Sequence, residues 1–100
     1  MEITSEMIDE GLTFARRMIA CLEKIDFDEL ANDLSFQKQS GEAMTMVLKM
    51  FAILERSTLA DGQSAALTAL IQRYNRWATN LTVDVLAHWS EQARMPVMLN

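Results

Sequence analysis

His88 is the only histidine of the chain, so any general base or metal site built on imidazole has to include it. Asp84 precedes it by four residues and Glu91 follows by three, and on a helix those spacings bring the three side chains near one face. Such a set could hold a divalent ion weakly or orient the imidazole. A di-metal carboxylate bundle needs paired Glu-x-x-His motifs and further inward carboxylates, and here a second histidine is absent. We therefore expect a solvated ion pair beside Trp89, no metal and no cofactor. Asp26, Asp28 and Asp33 invite a calcium reading. The EF-hand register, however, puts Ala31 where glycine is needed and Gln37 where the bidentate glutamate belongs.

Nucleophilic chemistry finds even less. Cys21 stands alone, which excludes an internal disulfide and a cysteine zinc cage and fits a reducing cytoplasm. Its place within an apolar stripe predicts a buried structural thiol. Cys21 and His88 fall on different helices, with no signature around them that would assemble a dyad. The three glycines, at positions 11, 41 and 62, are too dispersed to cradle a phosphate. No catalytic residue emerges, and we expect a protein that is not an enzyme.

Residues suited to binding are more evident. Arg73-Tyr74-Asn75-Arg76-Trp77 concentrates two guanidinium groups around an indole, and arginine and tryptophan dominate interface energies more often than other types. Two readings are open. The cluster could present an anchor to an acidic partner, or Tyr74 and Trp77 could enter the core while Arg73 and Arg76 pair with carboxylates of the first two helices. Of the eight methionines, Met44, Met46 and Met50 cluster on one segment, and flexible thioethers adapt to irregular apolar partners. The same residues would also serve as ordinary core filling. The candidate partner-binding set is Met44, Met46, Met50, Phe51, Trp89 and Met98, with Arg73, Arg76 and Trp77 giving orientation.

The elements that must position these residues are helices. In 100 residues there are three Gly and one Pro, far fewer than the turns of an all-β fold would use. With 50% of residues apolar and 23% charged, the chain is neither a disordered acidic tail nor a membrane protein. Ile8, Leu12, Ala15, Ile19 and Leu22 form one helical stripe. Met7, Gly11, Phe14, Met18, Cys21 and Ile25 form a second beside it, so a helix over 5–24 should bury a broad face. Asp26 or Asp28 can cap a shorter helix that carries Phe27, Leu30, Ala31 and Leu34 on one side and frays in the polar stretch Ser35–Gly41. A third helix, about 42–57, is apolar around most of its circumference and so demands cover on most sides.

After a turn at Asp61-Gly62, neither Gly nor Pro interrupts the chain from Gln63 to Arg94. A continuous helix there would be about 48 Å long, against a radius of gyration of about 13 Å for a compact domain of this length. The two figures conflict unless the helix breaks at the β-branched soft spot around Thr82 and Val83 or extends onto a second copy. We expect the unbroken helix and a homodimer. Pro96 ends that helix, and the apolar Val97, Met98 and Leu99 then need cover from the core, a sister chain or a partner.

The expected fold is a single all-α domain over 1–100, a small bundle of three or four helices with a long C-terminal helix. The net charge of −5 repels a phosphate backbone and argues against nucleic acid. The most apolar run, Ala43 to Leu54, is too short to cross a bilayer. The N-terminus is acidic where a secretory signal would be basic. Surplus apolar surface without catalytic groups points to a small cytoplasmic regulator or adaptor of the antiactivator, secretion-chaperone or inhibitor type, which sequesters a partner protein. The alternative is an assembly subunit, of the phage type, whose helical faces serve only self-association.

Overall fold

Residues 2–94 are described by a computed structural model, although the side chains of Trp89 and of residues 92–94 lie outside that description. The chain is all-helical over that range: α1 Ser5–Glu23, α2 Phe27–Asn32, α3 Leu34–Glu55 and α4 Asp61–Arg94. Each of the first three starts at a side-chain cap, which satisfies amide groups that would otherwise lack partners. Thr4 Oγ1 accepts from Met7 N at 3.2 Å, Asp26 Oδ1 from Asp28 N at 2.9 Å and Asp33 Oδ1 from Phe36 N at 3.1 Å.

The Asp33 cap corrects one expectation. Ser35–Gly41 does not fray; it forms the opening turns of α3. Its polar residues are polar because they face solvent, while Phe36 is half-buried and Ser40 turns inward. Gln37 adds a tie, its Nε2 donating to the Leu30 carbonyl of α2 at 2.9 Å. The third helix therefore begins eight residues before the expected boundary.

The core gathers where α1 packs against both α3 and α4. Ile8, Leu12, Ala15, Ile19 and Leu22 of α1 meet Val47, Phe51 and Leu54 of α3 and Leu67, Leu70 and Tyr74 of α4, all at most 5% exposed. Burying each Leu or Ile here contributes about 1.5–3 kcal/mol. Phe51 and Tyr74 meet edge to face, with ring centroids 5.9 Å apart, a geometry favoured by the ring quadrupoles. Gly11 lets α1 and α3 approach closely, since a Cβ there would stand 3.0 Å from Met50 Sδ and 3.4 Å from Leu54 Cδ2.

α4 is unbroken. Its 34 residues span about 51 Å, and the molecule is correspondingly elongated, 63 × 23 × 21 Å with a radius of gyration of 17.5 Å. Thr82 does not interrupt it, because its hydroxyl is accommodated by donating to the Ala78 carbonyl at 2.9 Å. Gln63 fastens the start of α4 to the start of α1. Its Nε2 donates to Ser5 O, Ser5 Oγ and Asp9 Oδ1 at 3.1, 3.0 and 2.9 Å, while its Oε1 accepts from Ala60 N.

Candidate functional site: two apolar surfaces flanking the third helix

The second stripe of α1 is covered only in part: Gly11 is buried against Met50 and Leu54 of α3, and its neighbours are more open. Met7 is 38% exposed, Phe14 and Met18 are half-buried, and Cys21, expected as a buried thiol, is exposed. The physical reason is geometric: α3 and α4 cover the first stripe and leave the rest of this flank of α1 more open. On the adjoining flank of α3, Met46, Met50 and Ile53 follow at i, i+4, i+7 spacing, so they share one face. Met46 and Ile53 are about half exposed. Between the two helices runs a groove of about 410 Å³, with Gly11 and Leu54 in its lining and Ile3, Met7, Phe14, Met50 and Ile53 beside them. Glu10 is the one charged residue that borders it.

A second depression lies on the other flank of α3, under α2 and against the distal part of α4. Ile25, Phe27, Leu30, Met44, Trp77, Leu81 and Val85 provide apolar lining, and Gln37, Ser40 and His88 provide polar groups. The His88 ring meets Phe27 edge to face at 5.8 Å. Among the described residues no three His, Cys, Asp or Glu side chains converge as metal ligands would. No helix among them is long and apolar enough to cross a membrane.

The candidate residues are thus divided among different places. Phe51 lies in the core, 5% exposed, where it packs on Tyr74 instead of facing solvent. Met50 lines the α1–α3 groove, Met46 lies exposed on the same face of α3 outside that lining, and Met44 lines the cleft on the other side of α3. Trp77 lines that cleft too, tilted on Tyr74 with centroids 5.8 Å apart. The Trp89 side chain and Met98 lie outside the described residues.

Arg73 does not stand out as an anchor. It forms a two-pronged pair with Glu23 of α1, Nε donating to Oε2 at 2.9 Å and the second guanidinium nitrogen to Oε1. That hydrogen bonding holds the Glu23 carboxyl below its ordinary range against an opposing desolvation effect, with added attraction from Arg73 and Arg76. It also raises Arg73. Burial pushes the Tyr74 phenol up. The polar-aromatic cluster therefore joins α1 to α4, and of its two arginines Arg76 is the more exposed.

Sequence reasoning missed Ile3, Phe14 and Ile53 of the seam, and Ser40 of the cleft. Phe14 was legible as a member of the second stripe, whose full burial was assumed. Nothing in the sequence marks Ser40. The chain matches no protein-family model, no curated protein and no solved structure.

Proposed function

We propose that this chain is a binding protein rather than an enzyme, a small cytoplasmic regulator or adaptor that holds an apolar helix of a partner protein in the α1–α3 seam. One observation carries the reading: two helices line a groove with apolar residues, Met7 and Phe14 from α1 and Met50 and Ile53 from α3, and the exposed Met46 extends the α3 row by one turn. A helix laid along such rows would complete a four-helix packing, the usual way of covering paired apolar stripes. Methionine suits the role because its unbranched side chain repacks around different surfaces. A specific complex of this kind buries about 800 Å² per partner. The acidic charge argues against nucleic acid as the partner.

Self-association is a second reading, favoured by the far part of α4. Val83 and Leu86 there are 57% and 54% exposed, apolar positions that a sister chain in a homodimer or an assembly would cover.

The test is site-directed crosslinking in the native cell with a photoreactive residue at Ile53 or, as control, at Glu55, which is exposed and two residues on, on the other side of α3, combined with mass measurement of the purified species. A foreign protein crosslinked from Ile53 and not from Glu55, and lost in Met46→Asp/Ile53→Asp, is the expected result. Crosslinks only to a second copy would select self-association, and equal crosslinking from both positions would overturn the seam.

A further inference from the structure

The cleft beneath α2 measures about 390 Å³, within the range of roughly 300–1,000 Å³ typical of small-molecule sites. Its ring-bearing walls come from α2 and α4, Phe27 on one side and Trp77 and His88 on the other. Ser40 of α3 is 7% exposed, and its Oγ has no hydrogen-bond partner, the one such buried side-chain atom among the described residues. A helical Ser or Thr can return its hydroxyl to the carbonyl four residues back. Thr45 and Thr82 do so here, and Ser57 just past the end of α3 does the same, each at 2.9 Å. Ser40 departs from that habit while lining a cavity, and a buried hydroxyl left unpaired is unfavourable enough to mark a place where another polar atom belongs.

Two further features narrow the ligand. No Asp, Glu, Lys or Arg lines the cleft, so nothing there would balance a strong charge. Gly41 also lines it, and a Cβ built at that position would meet nothing within 4 Å. Glycine in a helix interior weakens the helix, and a side chain added at this lining position would have room.

We propose that this cleft binds an uncharged, ring-bearing small molecule that places a hydroxyl or carbonyl oxygen against Ser40 Oγ. The apolar ring lies between Phe27, Met44, Trp77 and Leu81, and the single polar group fixes its orientation. The site is on the opposite flank of α3 from the α1–α3 seam and does not depend on what occupies that seam.

The experiment titrates the full chain with 2-naphthol and with naphthalene, which has the same ring system without the hydroxyl, following amide shifts of Ser40, Gly41 and His88 by NMR. Wild type is expected to saturate with both and to prefer 2-naphthol about three- to tenfold, the usual effect of one hydrogen bond. Ser40→Ala should erase the preference and keep naphthalene binding. Gly41→Phe, which adds a ring at that lining position, should lose both ligands with its helical circular dichroism unchanged. Absence of saturable binding by wild type, persistence of the preference in Ser40→Ala, or undiminished binding by Gly41→Phe would each overturn the site. Binding that appears only on dilution would show a second copy filling the cleft, and would overturn it too.

Discussion

The near and far halves of α4 have the same helical period and different fates. From Asp61 to Tyr74 the helix buries Leu67, Leu70 and Tyr74 against α1 and α3. Beyond Tyr74, no residue whose side chain is described is buried; Trp77, Ala78, Leu81, Val85 and His88 are only partly covered. The difference comes from what stands opposite. α1 has 19 residues and α4 has 34, so α4 outruns its partner by about 22 Å, with the six-residue α2 and the start of α3 beside its extension. Periodicity therefore predicts that a segment is helical, whereas burial depends on the length of its neighbours.

The largest expected effect separates the two halves directly. Phe51→Ala, which opens a cavity against Tyr74, should cost about 3–5 kcal/mol. Leu81→Ala should cost no more than about 1.5 kcal/mol, because that side chain already meets water. Urea unfolding of both variants checks the contrast, and equal losses would break it.

Ser40→Ala comes next and has the opposite sign. Removing an unpaired buried hydroxyl should stabilise the free protein by about 1 kcal/mol, read as a higher urea midpoint with unchanged slope. Gly41→Ala should stabilise by about 0.5–1 kcal/mol, since the methyl group meets nothing and the helix gains propensity; thermal melts measure it.

The smallest effect concerns the tie between α1 and the near half of α4. Both partners of the Arg73–Glu23 pair are more than a third exposed, so Glu23→Gln should cost less than about 1 kcal/mol at neutral pH. The Glu23 value is depressed on folding. Its contribution is accordingly full above the unfolded value, about 4.3, and is lost as the pH falls through the lower folded value. Unfolding curves of wild type and variant should converge in acid.

Much of the architecture was legible in the sequence. The 4/3 spacing of Ile8 to Leu22 located α1, Asp26 located the α2 cap, and the absence of Gly and Pro after Gln63 indicated a continuous α4. The early start of α3 was hidden, because a run such as Ser35, Gln37, Lys38 and Gln39 reads as a loop until the Asp33 cap and the Gln37 tie are seen. Cys21 was misplaced for a related reason. A stripe of apolar residues shows which face wants cover, and only the packing shows that this face receives it in part, at Gly11 and not at Cys21. The methionines were read as one surface, yet Met44 is two residues from Met46, and on a helix that spacing puts them on different sides.

The Gln63 contacts with Ser5 and Asp9, together with the Arg73 contact with Glu23, fix α1 and α4 as parallel. Two helix N-termini then share one end of the molecule, and with them two positive poles of peptide dipoles that repel each other. Glu6 in the first turn of α1 and Asp61 in that of α4 set negative charge at that end, each offsetting about 0.3–1 kcal/mol. Some of the acidity of the chain is thus a counterweight to its own backbone.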